Sequence, residues 1–186
     1  TTLTNSHTPE VTEATVKKVW NDNENQDGIR PDELKVTLSN GTEVTLNSGN
    51  GWEAKVENLP KYENEGTEIE YTWTEGELPK GYELTNISKE GTITTLTNSH
   101  TPEVTEATVK KVWNDNENQD GIRPTSIIIV LYANGEEYTR VILTEENKTQ
   151  TSDDEWSYTF TELPKYADGN EINYTIDEII NDRIAS

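Results

Sequence analysis

The chain has 186 residues, 36 acidic against 15 basic side chains and a net charge of −21. That balance excludes a phosphate-backbone binder, which needs a basic stripe, and opposes docking on an anionic membrane. With no cysteine, disulfides and thiolate-held metals are unavailable, and no apolar run approaches the ~20 residues of a membrane-spanning helix.

Hydrophobic content of 30% would suit a disordered chain, yet five Trp and eight Tyr stand among alternating runs of Val, Ile and Thr. Disordered acidic segments are poor in aromatic and β-branched residues, so the chain reads as folded. Its charge fits a solvated, self-repelling surface.

Residues 1–31, TTLTNSHTPEVTEATVKKVWNDNENQDGIRP, recur unchanged at 94–124, an offset of 93 (94 − 1). That period suits an independent domain rather than a solenoid unit. The expected organisation is a first domain at 11–102 and a second at 103–186, with residues 1–10 the closing strand of a preceding repeat. Beyond Pro124 the match weakens: LPKY at 59–62 returns at 163–166, an offset of 104 (163 − 59). The second copy therefore carries eleven extra residues (104 − 93), read as a longer hairpin around 139–155.

In chain order, alternation predicts strands near 12–20, 34–39, 52–58, 67–75 and 92–98, with counterparts in the second copy. Asn40-Gly41 and Asn134-Gly135 lie between such runs and read as type I′ hairpin turns. Between the first two strands, Asn21–Gly28 is rich in side-chain oxygens. Aligning Asn23, Asn25, Asp27 and Gly28 with a calcium loop puts Leu34 where a bidentate Glu is needed, so the segment reads as a polar connection. His7 and His100 have no second histidine nearby. No metal or other cofactor is expected. Short strands with regular turns and no amphipathic helix predict an all-β chain of tandem β-sandwiches.

Side chains alternate faces along a strand. Ala14, Val16, Lys18 and Trp20 share one face, an apolar row with one lysine in it. Ile69, Tyr71, Trp73 and Glu75 form another such row, ending in a carboxylate. The second copy repeats both, as Ala107, Val109, Lys111, Trp113 and as Ile172, Tyr174, Ile176, Glu178. An unpaired buried charge is expensive, so each lysine should meet its glutamate. Parity alone leaves open a buried salt bridge or strand-end residues whose heads reach water.

YTWTEGELPKGY at 71–82 resembles the YxLxETxAPxGY signature, the "E-box", of Cna B-type domains in Gram-positive surface adhesins and pilins. Tyr71, Glu75, Pro79, Gly81 and Tyr82 match, whereas Trp73, Gly76 and Leu78 depart from it. KVWNDNENQDGIRP resembles the opening of that family's repeats, and LTNSHTPE at 96–103 its closing strand. The resemblance covers essentially all of the first repeat and most of the second. It implies an Ig-like or prealbumin-like sandwich, an extended rod of neighbouring repeats, and a site on the bacterial cell wall. It also implies an amide between Lys18 and Asn98, with Glu75 assisting. Burial favours the neutral forms of amine and carboxyl, so a neutral Lys18 can attack the Asn98 carboxamide while Glu75 moves the protons. The reaction occurs once per molecule, which is self-processing and not enzymatic turnover.

The second repeat runs short of this pattern. After Glu178 only eight residues remain, and Asp182, Ile184 and Ala185 replace the end of the E-box. Asn181 is too near Glu178 in sequence to serve Lys111. Asn5 holds the Asn98 position in the leading copy of the closing strand, so Lys111, Glu178 and the Asn5 of another molecule form a candidate set in trans, giving head-to-tail self-association. The overall expectation is a structural stalk of an extracellular adhesin. Its rivals are a matrix- or glycan-binding module and a pilus shaft subunit.

Overall fold

A computed structural model of the chain describes residues 1–152 and 154–179. It divides into one unit of Thr1–Asn25 with Ile29–Thr101 and another of Gln26–Gly28 with Pro102 onward. Nearly all regular structure is strand.

In the first unit, β1 (Val11–Asn21) sits between two neighbours. It is antiparallel to β4 (Glu53–Pro60) and parallel to β7 (Ile93–Ser99), which pairs in turn with β6 (Glu83–Glu90), in the order β4-β1-β7-β6. A second sheet has the order β3-β2-β5, from β2 (Glu33–Leu38), β3 (Glu43–Asn47) and β5 (Trp73–Glu75). Alternation drives Ala14, Val16 and Lys18 of β1 inward, where they meet Leu34, Val36 and Leu38 of β2 in one core closed by Leu96 of β7.

The stretch 67–75 differs from expectation. Regular pairing begins only at Trp73, and Glu68 makes a single bridge to Tyr62. Tyr71 and Trp73 still point inward, because extended backbone alternates its side chains with or without a ladder. The Tyr71 hydroxyl donates to Pro60 O at 2.8 Å. Strand β6 was not expected. Every residue in it is exposed, so it carries no apolar rhythm, and pairing with β7 alone defines it.

The two Asn-Gly turns also part ways. Asn134 (φ 52°) and Gly135 (φ 87°) are both left-handed, as a type I′ turn requires. At the other, only Gly41 (φ 90°) is left-handed. There the loop has three residues, closed by Leu38 N donating to Thr42 O at 2.8 Å, and one glycine in the left-handed region suffices.

The second unit follows the same plan with β8 (Val104–Val112), β9 (Ser126–Ala133), β10 (Glu136–Thr144), β12 (Glu155–Pro164) and β15 (Tyr174–Ile179). Its principal sheets have the orders β11-β12-β8 and β10-β9-β15. The added residues form β11 (Thr149–Ser152), which extends the sheet beyond β12. A small hairpin joins β13 (Tyr166–Ala167) to β14 (Asn170–Glu171). Among the described residues nothing pairs with the outer edge of β8, the edge that β7 covers on β1. Asn181, Asp182, Ile184 and Ala185 lie outside the described residues.

Identical strings therefore have different environments. Ala14, Thr15, Val16 and Lys18 are buried, whereas Ala107, Thr108, Val109 and Lys111 are not. Likewise residues 94–99 belong to β7, while residues 1–10 form no strand. Leu96 is 0% exposed and Leu3, its counterpart, 90%. Truncating a fully buried leucine costs about 2–5 kcal/mol. Leu96→Ala should lower the denaturation midpoint of the first unit accordingly, and Leu3→Ala in dilute solution should leave it unchanged.

Candidate functional site

Lys18 stands in the middle of β1 with its side chain 0% exposed. Its Nζ donates to Val19 O and Leu96 O, both at 3.1 Å, and lies 4.5 Å from the centre of the Trp20 ring. Glu75, at the end of β5, approaches from the opposite sheet. Its Oε1 is 3.2 Å from Lys18 Nζ and its side chain is 5% exposed. The third member comes from β7. The register sets Lys18 opposite Leu96 and Trp20 opposite Asn98, so Asn98 is the diagonal same-face neighbour of Lys18.

Asn98 is completely buried. Both atoms of its carboxamide, and Glu75 Oε2, lack a hydrogen-bond partner among the described residues. Buried carboxamides are rarely left so. Burial pushes the Lys18 amine below its ordinary value, while the charge of Glu75 and a hydrogen bond to it pull the other way. The amine thus lies against the Glu75 carboxyl group, with an unpaired carboxamide on the same face of the next strand. Indole and phenol rings close this end of the sandwich: Trp20 meets Trp52 and Tyr82 edge-on, with centroids 5.2 and 5.0 Å apart.

The second unit brings two of the three groups together. Lys111 Nζ is 2.8 Å from Glu178 Oε2, with side chains 22% and 25% exposed, and Lys111 lies over Trp113 at 4.6 Å. Among the described residues no asparagine stands beside this pair in the way that Asn98 stands beside Lys18. Asn5 belongs to the exposed leading segment.

The Cna protein B-type domain profile matches this chain twice, at residues 14–99 and 107–183. The chain belongs to the Cna protein B-type family. It is 39% identical over 183 residues to a collagen adhesin of Staphylococcus aureus, an alignment that takes in 96% of this chain and 15% of that protein. It also superposes on the crystal structure of two B repeat units, B1B2, of the S. aureus collagen binding protein. That match has a TM-score of 0.81 and 38% identity, and covers 92% of this chain and 45% of the other.

This Cna B-type chain also contains a buried group that the sequence did not reveal. Asp22, at the end of the first strand, has its side chain fully buried. It accepts from Arg30 Nε at 2.9 Å, from the Tyr82 hydroxyl at 2.6 Å and from Asn25 N at 3.0 Å. Asn23, Glu24 and Asn25 all have positive φ, folding the acidic loop back so that Arg30 reaches Asp22. Asn25 Oδ1, one of the oxygens that suggested a calcium loop, accepts from Arg30 N at 2.9 Å. No group of ligands able to hold a metal occurs among the described residues. In the second unit Asp115 and Arg123 repeat the pair, and Asp154 is a further partner of Arg123. The spacing Asp22…Arg30 was visible in the string, but Tyr82, 60 positions away, was not an evident partner.

Burial alone would push the Asp22 carboxyl up. The hydrogen bonds from Arg30, Tyr82 and the Asn25 amide outweigh it and hold the group at about 2, against an ordinary 3.8. A carboxyl depressed by folding stabilises fully above its unfolded value, and that contribution is lost as pH falls through the folded value. Melting temperatures of the native chain and Asp22→Asn, recorded from pH 5 to pH 2, should differ by a constant amount above pH 3.8 and converge toward pH 2.

Proposed function

We propose that this chain is a structural spacer in the stalk of a cell-wall-anchored adhesin on a Gram-positive bacterium, and that its first unit locks itself with an amide between Lys18 and Asn98. The relatives support a surface adhesin. The chain spans only 15% of the collagen adhesin's length, and the part of that protein it superposes on is a pair of B repeat units, so its assignment is to the repeats. The observation that carries the reading is the Lys18 amine, sealed from water against Glu75, with the unpaired Asn98 carboxamide on the same face of the next strand.

The chemistry closes without an outside reagent. Lys18 passes a proton to Glu75, which leaves a neutral amine and a neutral acid. The Nζ lone pair attacks Asn98 Cγ, and the acid donates a hydrogen bond to the carboxamide oxygen as negative charge develops there. Collapse of the tetrahedral intermediate breaks the Cγ–Nδ2 bond. The excess proton on the former amine passes through Glu75 to Nδ2, which leaves as ammonia. One C–N bond forms and one breaks, and Glu75 keeps the proton it took from Lys18 at the outset, so protons and charge balance with ammonia as the leaving group. Holding the groups in contact supplies the large effective concentration that an unassisted amidation lacks.

The mechanical consequence follows from the register. β1 and β7 are adjacent and parallel, so tension between residues 11 and 99 shears one along the other. An amide from Lys18 to Asn98 routes that tension through covalent bonds and shields the 79 residues between (97 − 19 + 1). The link joins positions 80 apart (98 − 18), and the loop-entropy relation for cross-links gives about 4–5 kcal/mol of added stability. That matches what a small domain has in total and supplies a staple to a chain without cysteine.

Stretching single molecules by their two ends tests this function. In the native chain the first unit should contribute no unfolding step. Lys18→Ala should add a step of roughly 250–280 Å, the extended length of the released segment. The second unit, which lacks such a link, should give one step in both chains, so a second step of that size in the native chain would remove the mechanical role.

A further inference from the structure

We propose that Asp22 is a positioning residue for the Lys18–Asn98 reaction: it anchors the Tyr82 hydroxyl, and the Tyr82 ring in turn holds Trp20 over the reacting amine. The inference rests on the Lys18–Asn98 reading and adds to it the group that keeps the cover of the site in place. Three observations lead from Asp22 to the amine.

The cover has no polar anchor of its own. Trp20 lies two residues beyond Lys18 on the same face of β1 and opposite Asn98 in the register. Its ring centre is 4.5 Å from Lys18 Nζ, yet its Nε1 is buried without a hydrogen-bond partner among the described residues. The orientation of this indole therefore depends on the rings packed against it. Those rings are Trp52 and Tyr82, both edge-on, with centroids 5.2 and 5.0 Å away.

Tyr82 carries the anchor. The turn that delivers it passes through Gly81 at φ 95°, a conformation that a residue with a Cβ adopts only at a cost. The ring is then buried, and its hydroxyl donates to Asp22 Oδ2 at 2.6 Å.

Asp22 suits the task. It follows β1 directly, four residues after Lys18, with its side chain 0% exposed. Its Oδ1 accepts from Asn25 N and Arg30 Nη2, and its Oδ2 from Arg30 Nε and the Tyr82 hydroxyl. The paired bonds from Arg30 fix the plane of the carboxylate, and so the place where the Tyr82 hydroxyl must sit. Only a carboxylate accepts on both oxygens; a carboxamide here would turn an NH2 toward donors on one side.

The consequence falls on the reaction more than on the fold. Burial is what lowers the Lys18 amine, and attack on Asn98 needs that amine dry and aligned. A Trp20 ring free to swing would readmit water and favour the charged, unreactive form.

The test follows ammonia loss over time by intact mass, on the 186-residue chain after pulsed cell-free synthesis, with Lys18→Ala as the unreactive reference. Tyr82→Phe keeps the ring and leaves Asp22 its bonds to Arg30 and Asn25. The control is Tyr71→Phe, which also removes one tyrosine hydroxyl, bonded to Pro60 O at 2.8 Å. Pro60 pairs with Val11 at the start of β1, away from Lys18. Misplacing a reacting group by about 1 Å costs on the order of 100-fold in rate, so Tyr82→Phe should slow the linkage at least about tenfold. Tyr71→Phe should link at the native rate. Asp22→Asn should be slow as well, and the double variant no slower than the slower single, since both act through one hydrogen bond. In the Lys18→Ala background, where no link forms, the two tyrosine variants should lose comparable stability, each lacking one hydroxyl hydrogen bond. Tyr82→Phe linking at the native rate, or Tyr71→Phe slowing as much as Tyr82→Phe, would overturn the role of Asp22 alone. A native chain that never loses ammonia would overturn the Lys18–Asn98 reading together with it.

Discussion

A lysine sealed inside a β-sandwich constrains everything around it. Lys18 cannot stay there as a lone ammonium, because the desolvation of an unpaired charge would exceed the stability of so small a unit. Glu75 must therefore come from the facing sheet, and Leu96 O and Asn98 from the adjacent strand. That demand ties together the first strand, the last strand and the E-box segment, three parts of the chain with no proximity in sequence. The aromatic side chains at one end of the sandwich and the Asp22–Arg30–Tyr82 cluster brace the same corner.

The repeat supplies an internal comparison. Lys18 and Lys111 occupy the same place in identical strings, yet one is sealed and the other is partly open. The difference has one visible cause, the strand β7 on the edge of β1, which has no described equivalent on β8. Local sequence sets which face a side chain takes. Whether that face is dry depends on a neighbour from elsewhere in the chain.

That distinction also separates what could be read in the string from what could not. Parity sufficed to turn Lys18 and Glu75 inward, and the resemblance of residues 96–103 to the family's closing strand singled out Asn98, because both signals are local. Strand β6 escaped notice since all its side chains face water and only its pairing with β7 makes it a strand. The stretch before Trp73 looked like a strand because its alternation is real, although a ladder needs partners that the alternation does not supply. Asp22 looked like one more acid in a polar loop. Its burial depends on Arg30 folding back and on Tyr82 arriving from a distant segment, and no periodicity records either event. For Lys111 the identical string implied the burial of Lys18, and it was the absence of a described neighbour that made the difference.

The spacer role stands on one covalent bond between the first and last strands of the first unit. Proteolytic digestion of the unreduced, denatured monomer followed by tandem mass spectrometry addresses that bond most directly. The expected finding is a branched peptide in which the segment holding Lys18 is joined to the segment holding Asn98, lighter by one ammonia than the two linear peptides together. Recovery of both segments as separate linear peptides, with Lys18 and Asn98 unmodified, would contradict it.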